Sequence, residues 1–504
     1  MTIADEMDEP VLSDTNWKDE ESTPLIKPPV QKSEQTDKFT CSRFLKSLTV
    51  EPFMALFMFS YVVGSVCSQN IYIDKTCFNI YGFSANICSN IDNYTKEKEE
   101  IEITADNYNL YNTLIQTVPA VFFSMVIGPW SDKYGRKLPV IFALIGLGLE
   151  NVGIILNIIY FDAPLYWMVL SALPSGIFGG FTVTLMCMYS LISEQTTKKQ
   201  RTIKYALLEL AYGVGIPLGT FIGGMVYKKY GYIYVYITGI VSLVMAIMWL
   251  IIVVKDNRNL RNTLNGKIVC DLFSFQNFKE SYGAVTKPRP NGTRLEILLL
   301  IGSMCALISN YTAMSGFAFY FAKEMYKWDV TTYSNVNSAF LTAGMFSVVF
   351  AVPLLVKVFK MKDYCLGIIG SISMFSSDIV KGFAYKTWIY YLGNASGIFG
   401  TMGLLTVRAR LSKIVSEEEL GKIFAFLSSC ESLVPVIGNL IFTQIFNATI
   451  HVFTGTAYII AGAIIIFPIV VFPWIGRKKN LVNELLDDKP EEILEKRHET
   501  EESS

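Results

Sequence analysis

The sequence predicts an all-α membrane protein of twelve transmembrane helices in two six-helix halves. Hydrophobic residues make up 51% of the 504 residues and charged residues only 17%, whereas about 25% of an ordinary soluble domain is charged. Apolar runs near the roughly 20 residues that a helix needs to cross a bilayer follow one another along most of the chain. This pattern excludes a soluble multidomain enzyme and a disordered chain. The net charge of -1 excludes a bulk basic field for nucleic acid, so the expected surroundings are a lipid bilayer.

The predicted helices are apolar segments separated by short charged or turn-rich loops. In chain order they cover residues 52–73, 108–129, 138–160, 164–192, 203–227, 233–254, 295–322, 333–356, 366–384, 388–411, 423–446 and 452–474.

Lysine and arginine alternate in density between successive loops, and positive residues favour the cytosolic side. This predicts that both termini are cytosolic. The expected organisation is a disordered N-terminal tail, a first half, a cytosolic linker loop, a second half and a C-terminal tail, at residues 1–50, 51–254, 255–294, 295–475 and 476–504.

A short repeat supports the division into halves. The sequence Ser-Gly-Ile-Phe-Gly at residues 175–179, in the fourth predicted helix, recurs 221 residues later in the tenth. The same offset places Glu209 of the fifth helix next to Glu431 of the eleventh. Repeated halves place a binding site between them near the bilayer midplane.

The loop after the second predicted helix carries the most specific motif. Gly128, Asp132, Gly135, Arg136 and Lys137 fit the GxxxD[RK]xGR[RK] signature of the major facilitator superfamily at every specified position. The resemblance implies the major facilitator fold and a conformational latch in this loop. We expect Gly135 to allow a tight turn, Asp132 to face a helix N-terminus of the other half, and Arg136 to meet a carboxylate or a helix C-terminus.

Charged residues inside predicted helices are the candidates for function, because a charge at bilayer depth is costly. Glu209 has no basic partner nearby in its own helix, so it must be protonated, paired across helices, or facing water. A buried carboxyl with a shifted proton affinity is a natural proton carrier. We therefore predict a proton-coupling role for Glu209 and Glu431. Glu150 has a simpler interpretation as a hydrogen-bonding residue in helix packing.

Arg408 is predicted to bind the negative charge of a substrate. Its alternative is a structural one, in which the side chain reaches to the membrane surface as that of the nearby Arg410 does.

Two further segments narrow the family. Residues 201–209 (RTIKYALLE) and 407–413 (VRARLSK), together with the signature loop, resemble solute carrier family 46, the family of the proton-coupled folate transporter. The resemblance implies roles for Glu209, Arg408, Asp132 and Arg136, and solutes that are small organic anions moved with protons: folate-like, cell-wall-fragment-like or cyclic-dinucleotide-like. No cofactor is expected besides the proton as coupling ion. The family's functional histidines are missing here, which places folate itself in doubt.

The resulting prediction is a secondary active, proton-coupled transporter of an organic anion. P-loop, HExxH and Gly-x-Ser-x-Gly motifs are absent from the sequence, so an enzyme is not expected. The alternatives are a non-transporting receptor or scaffold on the same fold, and a facilitator of a neutral solute.

Two features concern sorting and modification. Glu21, Leu25 and Ile26 fit the acidic dileucine pattern that clathrin adaptors bind, which predicts an endolysosomal membrane, with the plasma membrane as the alternative. Asn93 begins an Asn-Tyr-Thr glycan acceptor in the first external loop, where Cys77 and Cys88 are candidates for a disulfide.

Overall fold

The computed structural model describes residues 49–84, 87–88, 95–198, 200–254, 271–272, 274–328, 330–416, 418–449 and 452–487. The predicted sorting residues Glu21, Leu25 and Ile26 and the predicted glycan acceptor Asn93 lie outside this range.

Within the described residues, helices occupy all twelve predicted intervals and no strand occurs. We number them α1 to α12 in chain order, and an additional linker helix, Phe275–Thr286, lies between α6 and α7. Their bounds are α1 Glu51–Val63 and Ser65–Lys75, α2 Thr95–Tyr134, α3 Lys137–Ile159, α4 Tyr166–Leu170, Leu173–Ile177 and Gly180–Gln195, α5 Arg201–Tyr230, α6 Tyr232–Ile252, α7 Thr293–Tyr326, α8 Val330–Pro353, α9 Asp363–Gly382, α10 Thr387–Ser396 and Thr401–Ile414, α11 Leu420–Thr449 and α12 Thr456–Asp487.

Ten of these helices are long and apolar enough to cross a membrane. The two that fall short are α9, which carries the charged pair Asp378 and Lys381, and α10, which is interrupted between Ser396 and Thr401. The all-α, multi-pass fold class is confirmed, and the full count of twelve crossings stays a prediction.

The repeated pentapeptide falls at a helix break in both halves. In α4 the break lies at Gly179, whose φ of 80° belongs to the left-handed region that glycine adopts without strain. In α10 the same five residues span the break in the helix before Thr401. The sequence repeat is therefore also a repeat of local structure.

Two predicted boundaries and one predicted loop differ from the structure. The helix α2 begins at Thr95 rather than at residue 108, because a charged but helix-favouring segment extends it beyond the apolar run. The helix α12 continues to Asp487, past the predicted start of the C-terminal tail. The linker was expected to be a loop, but it contains a helix whose first residue follows Ser274, and the Ser274 side chain accepts a hydrogen bond from Gln276 N at 3.3 Å.

Glycines allow close contact between α1 and α5. A Cβ added at Gly215 would lie 2.6 Å from Met58 Cβ, and one at Gly223 would lie 2.2 Å from the Val63 carbonyl oxygen. Since real Cβ atoms do not approach that closely, these positions require glycine for packing. In the segment that follows α1, Cys77 is joined to Cys88 by a disulfide.

Candidate functional site

The Gly128–Lys137 segment, which was expected to be a loop, forms the last turns of α2, a two-residue turn at Gly135 and Arg136, and the start of α3. It defines one end of the bundle, which we call the loop end. There Asp132 accepts hydrogen bonds from the backbone N–H groups of Gly421 at 2.9 Å and Lys422 at 3.2 Å, both in the first turn of α11. A carboxylate at a helix N-terminus is stabilised by the unpaired N–H groups and the helix dipole. Asp132 thus connects the first half to the second.

Arg136 holds Asp132 in place. Its guanidinium, which is fully buried, donates to Asp132 Oδ1 at 2.6 Å and to Glu194 Oε1 at 2.8 Å. Gly135, with a φ of 101°, makes the turn that brings Arg136 back to Asp132, and Lys137 begins α3. Charge-assisted bonds of this kind are the stronger ones in proteins.

The helices α2 and α11 cross with glycine against glycine. A Cβ added at Gly421 would lie 2.4 Å from Asp132 Oδ1 and 2.7 Å from the Gly128 carbonyl oxygen. A Cβ at Gly128 would lie 2.6 Å from Ala425 Cβ. The two halves are therefore in backbone contact here.

Additional polar contacts join the halves near this crossing. Ser124 and Ser429 hydroxyls lie 2.8 Å apart. Lys413 Nζ of α10 donates to Thr202 Oγ1 of α5 at 2.6 Å and forms an ion pair with Asp363 Oδ2 at 2.7 Å. Together with the glycine crossing, these contacts close the loop end.

The linker helix contacts both halves at the loop end. Glu280 lies 3.0 Å from Lys422 Nζ of α11 and 4.0 Å from Lys133 Nζ of α2. Ser281, which is buried, donates to the Met125 carbonyl oxygen at 2.5 Å, and Phe278 stacks on an α2 aromatic ring at 5.5 Å. The linker therefore acts as a clamp as well as a tether.

Two glutamates outside the membrane helices are held ionised by this clamp. Burial tends to raise the pKa of Glu280, but Lys422 and Lys133 outweigh it, so that the pKa lies below its ordinary value. Glu419 responds in the same way: burial is opposed by Lys287 and Arg289, which lie at 3.2 Å and 2.7 Å, and its pKa is lowered.

The predicted charged residues meet in one cluster, which we call the triad: Glu209 of α5, Arg408 of α10 and Glu431 of α11. Arg408 Nη1 donates to Glu209 Oε1, and Nε and Nη2 approach Glu431 Oε1 at 3.1 Å and 3.0 Å. Arg408 is 7% exposed, so the interpretation in which it reaches to the membrane surface does not fit the structure. Of the three options for Glu209, the structure selects pairing across helices.

Tyr189 of α4 contacts two members of the triad, and the sequence analysis did not identify it. Its hydroxyl donates to Glu209 Oε1 at 2.6 Å, and its ring lies 4.4 Å from Arg408 Cζ in a cation–π arrangement. No sequence motif identifies this residue, because its role depends on which side of α4 is turned toward α10.

A cavity of about 220 Å³ lies between the halves and adjoins the triad. Glu431 lines it, and Glu431 Oε2 is buried without a hydrogen-bond partner among the described residues. The other lining residues combine hydroxyl, amide and aromatic groups: Tyr61, Thr113, Gln116, Thr117, Ala120, Gly180, Phe181, Thr182, Ser432, Pro435 and Val436. Such a wall suits a partly polar organic solute.

No metal site is evident in the described part of the chain, since no group of three His, Cys, Asp or Glu residues is placed to hold an ion there.

Comparisons with known proteins give the family. The family model "Major Facilitator Superfamily" matches residues 53–376. A probable peptidoglycan muropeptide transporter (SLC46) of Drosophila melanogaster is 25% identical over 459 residues, covering 86% of each chain. A lysosomal proton-coupled steroid conjugate and bile acid symporter (SLC46A3) of Gallus gallus is 25% identical and covers 85% of this chain and 94% of its own. A proton-coupled folate transporter of Bos taurus is 22% identical, with coverages of 84% and 90%.

Solved structures show the same fold. The human organic anion transporter MFSD10 (TETRAN) superposes with a TM-score of 0.66 at 10% identity, covering 86% of this chain and all of that one (100%). The proton:xylose symporter XylE superposes with a TM-score of 0.62 at 15% identity, with coverages of 86% and 96%. The chain therefore belongs to the major facilitator superfamily, as a multi-pass membrane transporter rather than an enzyme, and it resembles solute carrier family 46 as its signature loop and helix segments predict.

Proposed function

We propose that this protein is a secondary active transporter that carries a small organic anion together with protons. One observation carries the proposal: a single buried arginine, Arg408, is shared by two carboxylates that come from opposite halves of the bundle, beside the cavity between those halves.

The charge of the triad supports proton coupling. With Glu209 and Glu431 both ionised, the one guanidinium leaves a net charge of -1 in a site that is largely shielded from water. An uncompensated charge there is costly, and one bound proton removes it. Binding of a proton to the triad is thus accompanied by a change in which carboxylate pairs with Arg408.

Protonation also prepares the site for an anion. In the described structure the guanidinium donors of Arg408 are directed at carboxylates. When one carboxyl takes a proton it releases part of the guanidinium, which then offers two parallel donors to a carboxylate, sulfate or phosphate of the solute. Proton binding and anion binding therefore strengthen each other, and the coupling is reciprocal.

Glu431 is the carboxyl that first takes the proton in this scheme. Its Oε2 faces no hydrogen-bond partner in the described structure and it lines the cavity, whereas Glu209 also accepts the Tyr189 hydroxyl. Glu209 then links the protonation of Glu431 to the conformational change, because Glu209 is the triad member that belongs to the first half. Opening of the loop end must separate Glu209 from Arg408.

The relatives support an organic anion as solute. They are described as transporters of steroid conjugates and bile acids, of folate, and, with less certainty, of peptidoglycan muropeptides. The proposed membrane is endolysosomal, with delivery by clathrin adaptors at Glu21, Leu25 and Ile26. The lysosomal relatives are consistent with that subcellular location. The loop end is proposed to face the cytosol, as the distribution of lysine and arginine predicts.

The test is uptake into proteoliposomes that contain the full chain. The solutes are a bile acid conjugate, folate and a muropeptide, each with and without an inward proton gradient. Wild type should take up at least one anion faster with the gradient. Glu209→Gln should reach the membrane but lose that acceleration, because a neutral amide cannot form the ion pair with Arg408 through which Glu209 links proton binding to the conformational change.

The matched control is Glu324→Gln, which removes an exposed carboxylate that pairs with Lys327 at 3.6 Å, and it should behave as wild type. Gradient acceleration that survives in Glu209→Gln removes this residue from coupling. Equal uptake with and without the gradient in wild type removes proton coupling altogether.

A further inference from the structure

A carboxylate that the triad does not use lies behind the wall of the cavity. Glu150 of α3 accepts a hydrogen bond from Gln116 Nε2 at 2.8 Å, and Gln116 is one of the residues that line the cavity. The same Nε2 lies 3.3 Å from Ser175 Oγ of α4, and the Ser175 hydroxyl is also beside the Glu150 carboxylate. Glu150 thus connects three helices of the first half at the cavity.

The orientation of α3 places this carboxylate inside the bundle. Leu149 and Val152, its neighbours along the helix, are 46% and 43% exposed and form part of the apolar outer face. Glu150 points the other way, between α2 and α4, where its partners lie. A charged side chain turned inward at this depth is a candidate for function.

The groups around Glu150 are all neutral. From α1 the titratable neighbours are Tyr61 and Tyr72, and from α6 the neighbour is Tyr236, whose hydroxyl lies 2.8 Å from Ser68 Oγ. From α2 and α4 it meets an amide and a hydroxyl. Within the described part of the chain, no lysine or arginine forms an ion pair with Glu150. An ionised carboxylate without a counter-charge is expensive in such surroundings.

We propose that Glu150 is a second proton-binding carboxyl of the transport cavity, separate from the triad, and that its proton decides which end of the Gln116 amide faces the solute. When Glu150 is ionised it accepts from Gln116 Nε2, which leaves the amide oxygen for the cavity. When Glu150 takes a proton from water its O–H becomes a donor, the amide turns over so that its oxygen accepts, and Nε2 faces the cavity. An N–H donor is the group that an anionic solute binds.

The charge count agrees with two proton sites. Glu150, Glu209 and Glu431 against Arg408 give the empty site a charge of -2, and a monoanion would make it -3. More than one proton must therefore accompany each anion. This consequence for transport rests on the proposed function, whereas proton binding by Glu150 does not.

The test uses the proton itself as the probe, with no solute present. The full chain is reconstituted in lipid, and its carboxylic-acid carbonyl bands are followed by infrared difference spectroscopy as the pH is varied. Wild type should show acid bands that persist above the pH at which exposed carboxyls ionise. Glu150→Gln should lose one of them, and the exposed-carboxyl control Glu324→Gln should keep them all.

A second variant keeps the proposal testable even where Glu150→Gln does not fold. Gln116→Leu leaves the Glu150 carboxyl in place but removes its amide partner. The Glu150 acid band should then move to a higher frequency, because the acid O–H loses the amide oxygen that accepts it, and it should persist to a higher pH, because the carboxylate loses the stronger charge-assisted bond from Gln116 Nε2. An unchanged spectrum in Glu150→Gln, or an unmoved band in Gln116→Leu, overturns the proposal. Since no solute is present, either failure is distinct from a failure of anion transport.

Discussion

Replacing Gly421 by alanine should open the loop end. The added Cβ would lie 2.4 Å from Asp132 Oδ1, which belongs to a carboxylate fixed by Arg136, and 2.7 Å from the Gly128 carbonyl oxygen, which belongs to the backbone. Neither can move aside while the helices stay in place. The variant must therefore separate α2 from α11 by several tenths of an ångström or more.

The cost of that separation follows from the bonds it breaks. Asp132 accepts two backbone N–H groups at 2.9 Å and 3.2 Å, and hydrogen bonds to a charged group contribute about 1.5–3 kcal/mol each. Loss of one of them shifts the equilibrium between closed and open loop end by roughly ten- to hundredfold, since about 1.4 kcal/mol is a factor of ten. Anion uptake should slow, because the cycle must pass through the closed form.

The assay is a distance distribution between spin labels at Lys198 and Ser416, which are exposed at the loop end in the first and second halves. Gly421→Ala should transfer population to longer distances. The control Gly283→Ala lies in the linker helix at the same end, where an added Cβ meets nothing within 4 Å, and it should leave the distribution unchanged. Identical distributions in wild type and Gly421→Ala would refute the reasoning.

Three further outcomes are expected. Arg408→Lys should raise the apparent KM for the transported anion roughly tenfold, equivalent to about 1.4 kcal/mol, because a point charge replaces the two-donor fork, and wild-type kinetics at matched protein amounts would remove this residue from the site. Glu280→Gln combined with Glu419→Gln should loosen the loop end equally at about pH 7 and about pH 5 in the spin-label assay. Both carboxyls have a pKa below the ordinary value near 4.3, so the stabilisation from their charges is present above that pH and is lost only as the pH falls through the lowered pKa values. A loosening confined to neutral pH contradicts this. Replacing Leu25 and Ile26 by alanine should move the protein from endolysosomes to the cell surface, as seen by microscopy of the tagged chain, and an unchanged distribution would make the match accidental.

The parts of the fold that were predictable are those that depend on local sequence. Apolar length located the helices α1 to α12, because a bilayer demands a minimum run of nonpolar residues wherever a chain crosses it. The signature loop fixed the positions of Asp132 and Arg136 for a similar reason, since the turn at Gly135 brings residues four apart together. Neither inference needs to know how distant helices are arranged.

The pairing of charges was not predictable from local sequence. Arg408 and Glu209 are 199 residues apart, and hydropathy gives the length of a helix without its rotation or its neighbours. The same limit applies to Gln116 with Glu150, whose contact depends on how α2 and α3 both pack against α4.

The linker helix is a different case, because a local signal was present. Ser274 is a helix-capping residue, and the apolar residues Phe275, Phe278, Tyr282 and Val285 follow at helical spacing. Charged neighbours lower the hydropathy of this segment below that of a membrane helix. Its periodicity nevertheless indicates a helix.

The glycine crossing of α2 and α11 has a consequence for the tightness of the barrier. Peptide groups have no rotamers, so at Gly128 and Gly421 there is no side chain that can swing away while the two halves stay together. A file of water or a stray proton can pass this point only when whole helices move. Leakage and solute release are thereby tied to one rigid-body motion, and under the proposed proton coupling this crossing would keep the gradient from dissipating between transport cycles.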